Sequence, residues 1–165
     1  MRKIIICLGL FFCSPAWALW EVDCLGGDCL TYGWQIKNPQ TGQNSKVYCI
    51  NQDCETYGWY EASKLTSGTR SECIGSGCFV DGWHIFETAS GRLLQTVTCN
   101  KGPSLQGDCL IWGWKLTGFG FAPVQITCTE NDCRGKGWTY NDPRKGRQTV
   151  VCKPGGCFIE GWIQY

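Results

Sequence analysis

Six pairs of cysteines are the residues best placed to do chemistry, because two thiols at short spacing can form a disulfide, bind zinc or exchange electrons. Five pairs enclose four residues and one pair encloses nine. The enclosed residues are rich in Gly, Asn and Asp, which favour a turn that brings the two Cα atoms within about 6 Å. We therefore expect six local structural disulfides, with bridges between neighbouring pairs as the alternative. The pairs are Cys24–Cys29, Cys49–Cys54, Cys73–Cys78, Cys99–Cys109, Cys128–Cys133 and Cys152–Cys157.

Metal and redox chemistry fit these cysteines less well than disulfides do. A tetrathiolate zinc site uses two cysteine pairs, whereas this arrangement occurs six times. No pair has the Cys-x-x-Cys spacing that tunes a reactive thiol. Aspartate precedes four of the second cysteines and suggests calcium ligands, but glycine precedes the other two, so a backbone requirement explains the position better. We expect no cofactor and no metal. The residues at this position are Asp28, Asp53, Gly77, Asp108, Asp132 and Gly156.

The amino terminus has the pattern of a bacterial secretory signal peptide. Arg2 and Lys3 precede an apolar run from Ile4 to Cys13, and small residues follow up to Ala18. We predict a signal peptide at 1–18 and a single exported domain at 19–165, periplasmic or secreted. A lipoprotein acylated on Cys13 is the alternative, but the preceding Phe12 is large. No later segment has the roughly 18 to 20 apolar residues of a membrane-spanning helix.

The charge of the predicted mature chain is close to zero. The full sequence has 15 basic and 14 acidic residues, and removal of Arg2 and Lys3 leaves 13 and 14, a net charge of −1. Nucleic-acid binding proteins carry an excess of basic residues that neutralises phosphates, so we expect no nucleic-acid partner.

Every cysteine pair is followed by Gly-Trp, which defines six repeats. The tryptophans are separated by 25, 24, 31, 24 and 24 residues. Each repeat has room for two strands: one ends at the first cysteine, and the other starts after the second cysteine and runs through Gly-Trp, as in Leu30–Ile36. Turn-forming residues such as Asn38–Gly42 connect one repeat to the next. The Gly-Trp residues are Gly33-Trp34, Gly58-Trp59, Gly82-Trp83, Gly113-Trp114, Gly137-Trp138 and Gly161-Trp162.

The sequence predicts an all-β fold of six disulfide-stapled hairpin repeats of about 24 residues, since no stretch has a helical apolar period. The segment 19–24 has only the second strand of a repeat, and 161–165 has only the first. Pairing of these two strands closes the array and removes exposed sheet edges. Closure is the favoured arrangement; an open hairpin solenoid and a β-trefoil are the alternatives.

Uniform recurrence indicates that the Gly-Trp tryptophans are core residues, so positions that vary between repeats are better candidates for recognition. The candidate ligand-binding residues are Tyr32, Tyr57 and Trp112, two residues before a tryptophan, and Tyr60, just after one. Five basic residues of the fifth repeat form a second candidate surface, for an anionic partner, around one predicted hairpin: Arg134, Lys136, Arg144, Lys145 and Arg147.

No catalytic motif is present, and the single histidine is His84. The Gly-Trp step followed by a turn resembles choline-binding repeats of cell-wall-binding proteins, but those lack this cysteine pattern, so we assign no family. We predict a non-enzymatic binding module for a glycan or cell-surface ligand. A protein-protein interaction or inhibitor protein is the alternative.

Overall fold

The computed structural model describes residues 20–62, 68–103, 107–118 and 122–165. The predicted signal peptide lies outside the described residues. Within them, twelve antiparallel strands pair with their neighbours in chain order and close into a barrel. The strands are β1 (Trp20–Cys24), β2 (Trp34–Lys37), β3 (Asn44–Cys49), β4 (Trp59–Ala62), β5 (Thr69–Cys73), β6 (Gly82–Glu87), β7 (Leu93–Cys99), β8 (Trp114–Gly118), β9 (Val124–Cys128), β10 (Trp138–Asp142), β11 (Gly146–Cys152) and β12 (Gly161–Gln164).

The first and last strands close the barrel, which confirms the predicted closed arrangement. Strand β12 pairs with β1, with Trp20 opposite Gln164 and Val22 opposite Trp162. We call this junction the seam. All six cysteine pairs lie at one end of the barrel, the cysteine end. The opposite end, where the strands of neighbouring repeats are connected, is the turn end. An all-β fold of stapled hairpin repeats is confirmed.

The six predicted local disulfides are also confirmed, with Cα–Cα distances of 4.4 to 4.6 Å. The second cysteine of every pair is fully buried. In five of the six repeats, the amide of this cysteine links adjacent repeats by donating to the carbonyl of the residue that follows the second cysteine of the preceding repeat. Such bonds run from Cys29 to Phe158 across the seam (3.0 Å), from Cys78 to Glu55 (2.8 Å), from Cys109 to Phe79 (2.9 Å), from Cys133 to Leu110 (2.8 Å) and from Cys157 to Arg134 (2.8 Å).

The predicted strand over Leu30–Ile36 is wrong in its first half. Residues Cys29–Tyr32 form one helical turn, α1, and β2 begins only at Trp34. The Asp28 carboxylate caps this turn by accepting from the amides of Leu30 (2.9 Å) and Thr31 (3.3 Å). The second and fourth repeats have matching turns, α2 (Cys54–Tyr57) and α3 (Cys109–Trp112), capped by Asp53 and Asp108. Aspartate before the second cysteine therefore has a backbone-capping role.

The glycine before each tryptophan allows the helical turn to meet the strand. Its φ lies between 76° and 109° in all six repeats, a region that disfavours side chains. A Cβ atom at Gly33 would lie 2.0 Å from the carbonyl oxygen of Val47 in the adjacent strand, and one at Gly161 would lie 2.0 Å from that of Val22 across the seam. The strands can pair at this point only when the residue is glycine.

The six tryptophans form a closed ring inside the barrel, which confirms their predicted core role. Neighbouring ring centroids lie 5.2 to 6.3 Å apart in tilted or edge arrangements. Small or β-branched residues of the preceding strands face the same interior and are buried. They are Val22, Val47, Ser71, Val97, Ile126 and Val150.

Candidate functional site

The structure places the four predicted ligand-binding residues on two different surfaces. Tyr32 and Tyr57 end the helical turns α1 and α2 at the cysteine end, with exposed fractions of 49% and 50%. Trp112 ends α3 at the same end but is partly buried. Tyr60 lies in β4, where it faces outward and is 44% exposed. The four residues therefore do not form one site.

In five repeats, the residue two positions before the tryptophan lies against the cysteine loop of its own repeat. A Cβ at Gly26 would lie 2.8 Å from Cδ2 of Tyr32, and one at Gly102 would lie 2.3 Å from Nε1 of Trp112. In the fifth repeat, Lys136 forms an ion pair of 3.9 Å with Glu130 of its loop. Variation at this position therefore has a partner within the same repeat. The predicted ligand-binding role of Tyr32, Tyr57 and Trp112 stays a prediction.

The residues directly after the second cysteines close the barrel at the cysteine end. Those of repeats on opposite sides of the barrel axis contact each other in two cases. Phe79 and Phe158, three repeats apart, meet edge to face with centroids 5.6 Å apart. Glu55 and Arg134, also three repeats apart, form an ion pair of 3.4 Å. Leucines pack against the core in the remaining two repeats. The six residues are Leu30, Glu55, Phe79, Leu110, Arg134 and Phe158.

The cysteine end also exposes apolar side chains around this closure. Ile111 and Ile159 are 41% and 53% exposed. A groove of about 500 Å³ lies beside Ile159, with Leu30 and Phe158 as its apolar lining and Arg134 at its edge. This end of the molecule offers exposed apolar side chains beside the charged groups Asp28, Glu55 and Arg134, a combination that suits contact with a protein.

The outer wall of the barrel carries a row of four side chains at paired positions of β3 to β6. Tyr48 is opposite Tyr60, Tyr60 is opposite Arg70, and Arg70 is opposite Phe86. The two tyrosine rings lie 5.6 Å apart at an angle of 33°, and the guanidinium carbon of Arg70 lies 6.0 Å from the Phe86 ring centroid. We call Tyr48, Tyr60, Arg70 and Phe86 the aromatic belt.

An open groove of about 670 Å³ runs beside the aromatic belt. Tyr60 and Arg70 line it together with Asn51, Glu61 and Thr88. Strands β4 and β5 pair at Trp59–Ser71 and Tyr60–Arg70, next to this space. The groove thus combines an aromatic face with amide, hydroxyl and charged groups, a combination suited to binding.

Of the four belt residues, only Tyr60 has a sequence signal, its variability between repeats; Tyr48, Arg70 and Phe86 were not predicted. Tyr48 directly precedes Cys49. Because Cys49 lies opposite Trp59 in the β3–β4 ladder, Tyr48 lies opposite Tyr60. The pairing of Tyr60 with Arg70 and of Arg70 with Phe86 depends on strand register, which spacing alone did not supply.

The basic residues of the fifth repeat flank the predicted hairpin of β10 and β11, but they lie at its two opposite ends and so do not form the single cluster that was predicted. Arg134 and Lys136 lie at the cysteine end, where they pair with Glu55 and Glu130. Arg144, Lys145 and Arg147 lie at the turn end, between or next to β10 and β11. The strands separate the two groups because the repeat spans the full height of the barrel.

No protein-family model matches the chain, and neither curated proteins nor solved structures show a match. In the part of the chain that the structure describes, no helix is long and apolar enough to cross a membrane. Over the same residues, no group of three or more His, Cys, Asp or Glu side chains is arranged to hold a metal ion. A role for the candidate surfaces is therefore inferred from their structure alone.

Proposed function

We propose that the protein is an exported, non-catalytic module that binds a glycan along the aromatic belt. The observation that carries the proposal is the cross-strand row of Tyr48, Tyr60, Arg70 and Phe86 beside an open groove. Sugar rings have apolar C–H faces that pack on aromatic rings and hydroxyl edges that need hydrogen-bond partners. The belt supplies the rings, and Asn51, Arg70 and Thr88 supply donors and acceptors along the groove.

The belt carries one positive and one neighbouring negative charge, those of Arg70 and Glu72, which a ligand must accommodate. Arg70 is already paired with Glu72, with Nη2 2.7 Å from Oε1, and the guanidinium also lies over Phe86. Both side chains of this ion pair are about half exposed, so water and salt weaken it. The guanidinium therefore has hydrogen-bond donors available to a glycan hydroxyl or carboxylate at the groove.

A polysaccharide-binding screen with two matched tyrosine variants tests the proposal. We expect the protein to bind at least one cell-surface polysaccharide, Tyr60→Ala to abolish that binding, and Tyr32→Ala to leave it unchanged. Tyr32 and Tyr60 have similar exposure, but only Tyr60 belongs to the belt. Absence of binding to every polysaccharide, or equal loss in both variants, would overturn the proposed belt site.

A protein ligand at the cysteine end is the second candidate function, favoured by the exposed side chains of Tyr32, Tyr57, Ile111 and Ile159. A protein partner captured in equal stoichiometry by the wild type, and lost in Ile159→Glu, would support it. Val151→Glu is the matched control, because Val151 is a similarly exposed aliphatic residue on the outer wall. Retention of the partner by Ile159→Glu would argue against this surface.

A further inference from the structure

The barrel interior changes character on the turn-end side of the tryptophan ring. Because side chains alternate along a strand, two more residues of each repeat face inward. One lies two positions after the tryptophan, and the other lies two positions before the buried Val, Ile or Ser. Seven of these twelve side chains are polar, in contrast to the apolar ring. The twelve are Trp20, Ile36, Ser45, Glu61, Thr69, Ile85, Gln95, Leu116, Val124, Tyr140, Gln148 and Gln164.

Hydrogen bonds confirm that the polar side chains meet on the concave face. The Gln164 Nε2 amide in β12 donates to the Tyr140 hydroxyl in β10 at 2.8 Å and lies 3.5 Å from Oε1 of Gln148 in β11. Residues from β10 and β12 can touch across β11 only inside the barrel. On the opposite wall, the Thr69 hydroxyl donates to the Glu61 carboxylate at 3.4 Å.

The group formed by Tyr140, Gln148 and Gln164 is ordered yet accessible. Gln148 is only 4% exposed, whereas Tyr140 and Gln164 are partly exposed. Because the Tyr140 hydroxyl accepts from Gln164, its own proton remains able to donate. Burial raises the pKa of Tyr140 further above neutral pH.

Polar groups in a barrel interior carry a desolvation cost, and an apolar side chain at the same place avoids it. The tryptophan layer shows that these repeats can fill the interior with apolar residues. Barrel mouths are also a frequent location of ligand sites. The polar side chains here satisfy one another, and Gln148 Nε2 also bonds to the carbonyl oxygens of Lys145 (3.4 Å) and Arg147 (3.3 Å). Their donors and acceptors are therefore held in a fixed arrangement at the turn-end mouth of the barrel.

The composition of this layer selects the chemistry of the molecule. Glu61 is the one carboxylate among the twelve side chains, and none of them is Lys, Arg or His, so the layer itself offers an anionic ligand no counter-charge. The basic residues Arg144 and Lys145 lie outside the layer, in the turn between β10 and β11. The amides and hydroxyls offer donors and acceptors together, and Trp20, opposite Gln164, offers an aromatic face. These groups match a neutral, hydroxyl-rich molecule.

We propose that the turn-end interior of the barrel is a second binding site, which takes a neutral mono- or disaccharide between Trp20, Tyr140, Gln148 and Gln164. The site is separate from the aromatic belt, because its side chains face the interior and those of the belt face outward. It does not depend on the glycan proposed for the belt.

Saturation-transfer NMR with defined sugars tests the interior site. The probes are cellobiose, maltose, lactose and N,N′-diacetylchitobiose, with glucuronate as the anionic counter-probe. We expect saturation transfer to at least one neutral disaccharide. In the Tyr60→Ala protein, whose aromatic belt lacks a ring, we expect none to glucuronate. We expect Tyr140→Phe, which removes a single hydroxyl, to weaken binding about tenfold, the ratio for loss of one hydrogen bond in a desolvated site.

Two further variants separate this site from the belt and from folding defects. Gln148→Leu retains the side-chain size and is expected to weaken the same disaccharide, whereas Tyr60→Ala is expected to leave it unchanged. A wild-type thermal unfolding midpoint in Tyr140→Phe shows that the fold is intact. The proposal is overturned when no neutral disaccharide receives saturation, when glucuronate binds equally to the Tyr60→Ala protein, or when a folded Tyr140→Phe protein binds as tightly as the wild type.

Discussion

The cysteine end and the turn end of the barrel are made by the same six repeats, yet they differ in how they are held together. At the cysteine end, each repeat has a disulfide, a buried second cysteine and a fixed glycine, and Phe79 and Phe158 close the interior. At the turn end, the inward-facing residues differ from repeat to repeat and include amides and hydroxyls. The comparison indicates that the cysteine end contributes most of the stability of the barrel. The inward-facing residues of the turn end are therefore less constrained in type.

The largest expected effect is that of a glycine-to-alanine substitution at the cysteine end, compared with the same substitution at the turn end. Gly137→Ala at the cysteine end places a Cβ 2.1 Å from the carbonyl oxygen of Val150, whereas Gly42→Ala at the turn end meets no atom within 4 Å. Both glycines have positive φ. We expect losses of at least about 4 kcal/mol for Gly137→Ala and about 1 to 2 kcal/mol for Gly42→Ala. Urea unfolding measures both, and equal losses would contradict the comparison.

Removal of a closing aromatic ring is expected to have the next largest effect. Phe158→Ala deletes a buried ring that contacts Phe79 and Trp162, at a cost of about 3 kcal/mol. Leu93→Ala removes an exposed side chain near the turn end, at a cost below about 0.5 kcal/mol. The two urea midpoints should differ clearly. Coinciding midpoints would show that the Phe79–Phe158 contact does not stabilise the cysteine end.

The loss of one disulfide is expected to have an intermediate effect. Replacement of both Cys49 and Cys54 by alanine opens a small loop, which costs about 2 kcal/mol in the chain-entropy description. The same change at Cys99 and Cys109 opens a longer loop and should cost slightly more. Mass spectrometry of the non-reduced variants verifies that the other five bridges persist. Rearranged bridges would show that pairing is not local to each repeat.

The smallest effect is expected at the seam, where Lys153 bonds to Glu21 at 2.8 Å and also contacts Asp23. Hydrogen bonds from Lys153 and then Lys37 hold the pKa of Asp23 below its usual value. A lowered pKa in the folded state stabilises the fold above the unfolded-state pKa of about 4, and that contribution is lost as the pH falls through the folded-state value. Asp23 is 34% exposed, so screening limits Lys153→Met to about 0.5 to 1 kcal/mol at pH 7.

Urea unfolding of wild type and Lys153→Met between pH 7 and pH 2 measures the seam contribution. The difference between the two proteins should decrease as the pH falls below about 4. Arg92→Met is the control, because Arg92 is 70% exposed and lies 3.8 Å from Glu87. A pH-independent difference for Lys153→Met would show that packing of its stem, rather than the carboxylates, stabilises the seam.

The fold was largely predictable because its determinants repeat. Five cysteine pairs with one spacing and a sixth with a longer one indicated the local disulfides, and the incomplete ends at Trp20 and Gln164 indicated closure. The helical turn at Leu30–Tyr32 was not predicted, since its alternating apolar residues also fit a strand. Two local effects decide its structure: the Asp28 cap and the positive φ of Gly33. Neither produces a periodic pattern.

The candidate sites were less predictable than the fold because they depend on which strands lie side by side. Tyr60 was selected for its variability, but its partner Arg70 is contributed by the next repeat through the register of β4 and β5. Likewise, Tyr140 and Gln164 meet only because the barrel is curved enough to bring β10 and β12 together. The sequence identifies aromatic and polar side chains that can bind a ligand, but only the three-dimensional structure shows which of them lie next to one another.

The seam has a consequence for the order in which the protein folds. Eleven of the twelve strand junctions connect consecutive strands, whereas the junction of β1 with β12 joins residues about 140 positions apart, as Trp20 and Gln164 show. Loop-closure entropy makes such a distant pairing slow, while local hairpins form quickly. Hairpins can therefore form in any order, and we expect the formation of the seam to limit the rate at which the completed barrel appears.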